Sequence, residues 1–402
     1  MAAAHAAEPV YPVAAYAADE LNAVRQWEKT WAGKKIDKHT VGQVAEFLPE
    51  SYVGIYRNPA KWGAPPEGLY FYVVPYQQVL PTSGMIAATK KYAPHVTTGQ
   101  DGMIQNYAGI AGMPFPQPRT GREVASNFEF NNHGDSAYYK RYAPNVNPKS
   151  RTERLSVQEN WELFFIHRTE IDPRPALTDN PKGIHRGNFL HMHKPAEMIN
   201  TRYYSLRYID PQMEDIMYLW YSQFRRIRRM STSQRTDAID GTDLIYDDEF
   251  LWDGHMSRNT YELQGTKELL CSRHQDMQKT TRQPGQAIVN GLTLERTKTH
   301  VVAVHSKDPH YIYKKRIWYV DPESYIILWS EMYDQFDRYW KCFMQNTCPV
   351  PTETGEQKHF IVGTQFIDFQ REHAGLSSQT IKRVSYNLGR RMFTLGNLQS
   401  TY

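Results

Sequence analysis

Residues Lys314–Phe343, KKRIWYVDPESYIILWSEMYDQFDRYWKCF, decide the fold. Three runs rich in aromatic and β-branched residues are separated by the turn signals DPES and DQFD, a pattern that reads strand, turn, strand, turn, strand. In the middle run Tyr325, Ile327 and Trp329 point to one side, and Ile326, Leu328 and Met332 to the other. Both sides are apolar. A sheet with one face in water alternates apolar with polar residues, so this one is expected to be covered on both faces. The helical N-terminal third supplies one cover. The other is more chain, a partner or a bound apolar ligand.

The strand pattern extends outward from this stretch. From Trp161 onward the segments WELFFIHRTEI, TRYYSLRYID, EDIMYLWYSQFRRIRRM, GTKELLCSRH, THVVAVHSKD and HFIVGTQFIDF follow one another, divided by signals such as DPQ. No ten-residue helical crossover separates them, which predicts an antiparallel meander. So many strands must close or curl around something. In the segment around Trp220, Ile216, Tyr218 and Trp220 share one side, and Met217, Leu219 and Tyr221 the other.

Before the strands the pattern differs. In AADELNAVRQWEKTWAG, Leu21, Val24, Trp27 and Trp31 recur at helical spacing, with Gly33 as a stop. HTVGQVAEFLP offers Thr40 as a cap, Val41, Val44 and Leu48 on one face, and an end before Pro49, which predicts a second helix. A Pro-, Gly- and Tyr-rich stretch follows, packing through Tyr70, Phe71 and Tyr72, and then a short helix that closes at Pro94. Pro114, Pro116 and Pro118 bar a regular element and lead into Thr120-Gly-Arg-Glu123, a capping box that starts a helix near Gly121 and presents Val124 and Phe128. The expected organisation is a helical and Pro/Tyr-rich segment over residues 1–100, packed on a β domain over 101–402.

Composition fits a globular chain with ample core. Of 402 residues, 40% are hydrophobic and 22% charged, and the 27 Tyr, 16 Phe and 9 Trp suffice to line both a core and a large pocket. A net charge of +4 is too weak to point to nucleic acid. There is no CxxC among Cys271, Cys342 and Cys348; the last two close a small disulfide loop or are reduced. The sequence has no apolar run long enough to span a membrane. The start MAAAHAAEPVYP carries Ala4-His5-Ala6, the small-x-small pattern that precedes a signal-peptidase cut. Either a signal peptide has been removed or this is a plain Ala-rich tail.

Three groups of residues carry possible chemistry. His185, His191 and His193 lie in HRGNFLHMHKP; the His-x-His pair shares one strand face as metal ligands do, and needs a third ligand such as His167 or Glu197. Exposed loop histidines are the competing reading, and no metal or other cofactor is assigned. Arg225, Arg226, Arg228 and Arg229 form the densest basic run, with Arg226 and Arg228 on one strand face, suited to an anionic headgroup or an acidic partner, or to protecting an edge strand. The pairs Asp247/Asp248 and Asp334/Asp337 lie beside turns and read as capping or solvated groups. GxSxG, HExxH, P-loop and dinucleotide-binding signatures are missing, so no catalytic residue is assigned.

An ordered set of segments supports a resemblance. MIQNYAGIAGMPFPQPRTGREVASNFEF, LWYSQFRRIRRM, TDLIYDDEFLWDG, the hairpin ladder quoted above and NLGRRMFTLGNL together resemble an uncharacterised family of Gram-negative periplasmic proteins, similar to the outer-membrane lipoprotein-sorting carriers LolA and LolB. The turn in YSQFRR departs from the family's Asn/Asp-Pro-Gly, and neither His185–Met198 nor the region before Met85 has a counterpart. The resemblance implies a mainly β fold: a curved antiparallel half-barrel with helices on its concave face. It implies carriage of a lipid or lipid-like molecule across the periplasm, with an RND-type exporter or outer-membrane protein as partner and peripheral membrane contact. Tyr218, Trp220, Phe250, Trp252, Trp318, Trp329, Tyr333 and Trp340 are then the candidates to grip or gate the ligand. A structural role, binding another protein through the apolar face, and an enzyme using the same cavity are the alternatives.

Overall fold

The computed structural model describes residues 11–149, 151–230, 235–239 and 242–399. The Ala-rich start with its expected cleavage pattern lies outside them. Five α-helices are described: α1 (Ala18–Trp31), α2 (Glu50–Arg57), α3 (Ser83–Tyr92), α4 (Gly121–Phe130) and α5 (Leu395–Gln399). The strands are β1 (Lys35–Ile36), β2 (Phe71–Val73), β3 (Ser136–Asn147), β4 (Arg151–Phe164), β5 (Ile184–Lys194), β6 (Arg202–Tyr208), β7 (Ile216–Tyr221), β8 (Arg226–Met230), β9 (Asn259–Cys271), β10 (Leu292–Ser306), β11 (Lys315–Val320), β12 (Ile327–Tyr333), β13 (Tyr339–Pro351), β14 (Gln357–Asp368) and β15 (His373–Val384).

All fifteen belong to one open, curved sheet in the order β1-β2-β10-β11-β12-β13-β14-β15-β3-β4-β5-β6-β7-β8, with β9 paired to β10. Among the named strands every pairing is antiparallel except that of β2 with the start of β10. The quoted stretch forms β11, β12 and β13, joined at the two expected turns. The sheet does not close. The last strand in the sequence, β15, pairs with β3, the first of the long strands, in the middle of the sheet.

Both faces are covered, but an irregularity between Ile327 and Trp329 breaks the expected alternation: Trp329 joins Ile326 and Leu328 on one side, and Met332 joins Tyr325 and Ile327 on the other. On one side Val41, Val44, Tyr52, Ile55 and Tyr56 pack with Phe71, Trp329, Cys342 and Met344. On the other, Met85, Val124 and Trp252 pack with Val302, Trp318, Ile327 and Phe343. A third cluster gathers Leu163, Phe189, Tyr204, Leu206 and the C-terminal Phe393 and Leu398.

Several local expectations are corrected. The helix expected over Val41–Leu48 is two 3-10 turns, Val41–Gln43 and Ala45–Phe47, and α2 begins only after Pro49. Gly42 and the β-branched Val41 and Val44 are weak helix formers, and the prolyl ring serves better before a helix than at its end. Two short strands precede Ser136, and the long strands begin there, well before Trp161, and run on to Val384. Cys342 and Cys348 are both free, and lying six residues apart on the single extended strand β13 they cannot meet. The expected cap at α4 holds in its forward half: Glu123 N donates to Thr120 Oγ1 (3.2 Å), while the Glu123 carboxylate takes the Arg119 amide. Gly121 lies so close to β9 that a Cβ there would stand 2.8 Å from the Leu263 nitrogen. The proline bracket is tied to α4 by Asn127, whose amide accepts from Phe115 N (3.0 Å) and donates to Phe115 O (2.7 Å).

Candidate functional site

A cavity of about 240 Å³ lies against the face of the sheet formed by β14, β15 and β3 to β8, which we call the inner face. Alternation along the strands builds its wall. Gln158, Asn160 and Glu162 on β4, and Arg186, Asn188, Leu190 and Met192 on β5, turn inward at every second position. Met217, Leu219 and Tyr221 do the same on β7.

The wall has two chemically distinct halves. Across β15, β3, β4 and β5 run Ser377, Gln379, Asn145, Asn160 and Asn188. Asn160 accepts from Gln158 Nε2 at 3.0 Å. Yet Ser377 Oγ, Gln379 Oε1, Asn145 Oδ1, Asn160 Nδ2 and Asn188 Oδ1 are buried with no hydrogen-bond partner among the described residues. Buried polar groups of this kind are uncommon, because each unmade bond costs about 1–3 kcal/mol. The apolar lining comes from Leu190 and Met192 near the end of β5, Met217 and Leu219 on β7, and Met230 on the edge strand β8.

Residues 235–239 and 242–254 cross the cavity and are held by charges from the sheet. Arg141 of β3 grips Glu249 with two bonds of 2.7 and 2.9 Å. Arg207 of β6 donates to Asp215 (2.9 Å) and Asp253 (3.0 Å), and Arg186 of β5 pairs with Asp253. Arg235 joins Asp215 (2.9 Å) and Asp247 (2.6 Å). Arg316 of β11 pairs with Asp248 at 2.9 Å, and His373 of β15 holds Asp243. Asp247 and Asp248 are thus buried ion-pair partners rather than solvated groups, while the capping half of the reading holds for Asp248, which accepts from Ile245 N at 3.1 Å. The two left-handed residues Phe250 (φ 51°) and Leu251 (φ 67°) turn the segment, and the Phe250 ring borders the cavity.

The charges lining the cavity are matched. Burial alone would raise the Asp215 carboxyl; Arg207, His255 and Arg235 outweigh it and hold it far below the usual range. Burial would likewise raise Glu162, but His133 and the Arg186 charge hold it down. Burial and the neighbouring Arg207 push Arg186 down to about 10, still a cation at neutral pH. The His373 imidazole is raised by its bond to Asp243 and by Glu153.

Of the eight aromatic candidates only Phe250 borders this cavity. Trp318 and Trp329 are fully buried, Trp252 and Trp340 belong to the second cluster, and Tyr333 lies against Tyr339. Tyr218 and Trp220 pack on the third cluster. Large rings fill the space between sheet and cover, whereas the cavity takes the alternate positions beside them. The signal for it is present in the sequence as polar residues at every second place of an otherwise apolar strand, Gln158-x-Asn160-x-Glu162.

The arginine run sits at the edge of the sheet. All four are exposed; Arg225 is a turn residue (φ 48°) rather than part of the strand. In register, Arg226 opposes Tyr221 and Arg228 opposes Leu219, which places both on the cavity side. His185 and His167 are buried near Phe130 and Tyr107, where burial pushes His167 down to about 3 and keeps it neutral. Glu197 sits in an exposed 3-10 turn beside Arg154. His167 and Glu197 therefore do not complete a set with His191 and His193.

Comparison with known proteins places this architecture. No curated protein matches the sequence. The fold is similar to that of a solved DUF1329 family protein from Desulfovibrio piger ATCC 29098, at 14% identity, with 69% of this chain and 97% of that one covered and a TM-score of 0.50. A putative outer membrane lipoprotein-sorting protein domain from Vibrio parahaemolyticus is similar at 13% identity, 70% and 98% coverage and TM-score 0.47. So is a LolA superfamily protein from Nitrosomonas europaea, at 11% identity, 70% and 100% coverage and TM-score 0.43. The sequence pattern described as "Protein of unknown function (DUF1329)" matches residues 36–399, nearly the full length, and the chain belongs to that family.

Proposed function

We propose that this protein binds an uncharged amphipathic molecule in the inner-face cavity and carries it across the periplasm between membranes, working with an exporter or outer-membrane partner. The observation that carries the reading is the divided wall: unpartnered amides and a hydroxyl on one half, Leu and Met side chains on the other. A ligand with hydroxyl, carbonyl or amide groups at one end satisfies the first half, and its apolar body removes the second from water. Arg141, Arg186, Arg207 and Arg235 of the lining are already paired with carboxylates, which favours an uncharged head over an anionic one. Methionines adapt to varied apolar shapes. Among the described residues no helix is long and apolar enough to cross a membrane. The periplasmic setting rests on the sequence resemblance.

Native mass spectrometry of protein purified from its own host, followed by solvent extraction, tests this. The expected result is a small amphiphile bound one to one, lost from Leu219→Trp, which fills the apolar half while keeping the fold. A stoichiometric protein partner in its place would favour an assembly role. Turnover of the bound molecule would make the protein an enzyme.

Arg226 and Arg228 stand on the cavity side of the edge strand and are suited to meeting an anionic membrane surface during loading. Replacing both with Gln is expected to change stability by no more than ~0.5 kcal/mol, because the side chains are exposed. Binding to anionic vesicles should weaken, most at low salt, where exposed charges are least screened. Vesicle binding equal to wild type at every ionic strength would leave these arginines as protection of a sheet edge.

A further inference from the structure

On the face of the sheet opposite the cavity, β4 and β5 bring together three donor groups that the carrier reading does not use. Glu159 stands directly across from His191 in the strand register, and His193 follows two residues later on the same face. One ligand atom from each lies within 4.8 Å of the other two. The neighbours in both strands, Gln158, Asn160, Leu190 and Met192, turn the other way into the cavity. We infer that Glu159, His191 and His193 form a site for a divalent transition-metal ion of the zinc, nickel or copper class.

The donor set decides the class. Two imidazole nitrogens and one carboxylate oxygen suit borderline ions such as Zn²⁺, Ni²⁺ and Cu²⁺, whereas Ca²⁺ and Mg²⁺ require oxygen donors. The groups sit on neighbouring strands inside a sheet, so they are held in place before an ion arrives. Partners outside the set orient them further. Tyr138 OH donates to Glu159 Oε1 (2.5 Å), and Asn200 Oδ1 lies 3.2 Å from His191 Nε2. Such outer contacts fix ligand direction and raise affinity. Glu159 Oε2 lies 2.7 Å from His193 Nε2, so an ion entering here replaces the hydrogen that bridges them.

All three residues are only partly buried, which leaves an approach for the ion and at least one coordination position for water. Arg202 stands across from His191 on β6. The ion would clamp β4 to β5 from outside, directly behind Asn160 and Leu190 of the cavity wall.

The test uses the full chain without a polyhistidine tag, stripped with chelator and titrated with ZnCl₂ by calorimetry at neutral pH. One ion per chain is expected. His191→Ala with His193→Ala should abolish that binding event with the circular dichroism spectrum unchanged. Tyr138→Phe should keep the stoichiometry and weaken binding by about tenfold, the usual effect of losing an outer contact. No saturable binding to the wild type would overturn the site. So would equal binding by wild type and double variant, because the ion would then sit on other histidines such as His274 and His359, whose rings also meet. If the double variant fails to fold, Tyr138→Phe and Glu159→Gln decide: unchanged affinity in both rejects the site.

Discussion

Arg273→Met is expected to destabilise the protein by ~3–5 kcal/mol, the cost of removing one member of a buried charge cluster. Arg273 is wholly buried and faces Asp321 (3.3 Å), Glu295 (3.9 Å) and Glu323. These carboxylates bind the N-terminal third to the sheet. Glu323 accepts the amides of Ala15 (3.0 Å) and Val79 (2.8 Å), and Glu295 accepts that of Gln77 (2.7 Å). Burial already raises the Glu323 carboxyl, and Arg273 is the charge that opposes it. Without the guanidinium, some of these acids must take up protons and lose part of their hold on the backbone. Urea denaturation measures the loss, and hydrogen exchange should show residues 15–79 exchanging ahead of the rest. A variant within 1 kcal/mol of wild type would mean that the N-terminal segment does not depend on this cluster.

Trp329→Ala should cost a similar ~3–5 kcal/mol, the usual range for truncating a buried Trp. The side chain is fully buried, and its Nε1 donates to Leu270 O at 3.2 Å. Its ring meets that of Tyr52 edge to face at 4.6 Å, which couples α2 to β12. The truncation therefore leaves a void and an unpaired carbonyl together. Chemical denaturation checks it; a melting curve that overlays the wild type would place the ring outside the core. With total stabilities of about 5–15 kcal/mol for folded domains, either change is expected to leave little margin.

The sheet was legible where aromatic strands are separated by acidic and proline turns, as in β11 to β13. It was not legible in β3, SAYYKRYAPNVN, or in β15, HAGLSSQTIKRV, which carry Pro144, Gly375 and many polar residues. These two strands pair across more than two hundred positions, a contact no local pattern announces. Their polarity has a cause: they form the amide half of the cavity, where inward positions hold Asn145, Ser377 and Gln379. The reading of Tyr218 and Trp220 failed to find the cavity for the converse reason. Ring size marks burial against other protein, while Met217, Leu219 and Tyr221 between them face the space. The histidine pair was visible, but its partner Glu159 lies on another strand and required the register.

The segment Arg235–Gly254 lies between β8, at one end of the open sheet, and β9, beside the other. Its described residues, 235–239 and 242–254, lie along the inner face like the string of a bow, fastened to β3, β5, β6, β11 and β15. An arc held by a chord has its curvature set by the chord's length. The width of the cavity is then governed by how much chain runs between the last sheet arginine it meets and the first, as well as by the side chains that line it. Residues added to this span would open the bow and residues removed would draw it tighter, so the same wall would enclose spaces of different girth.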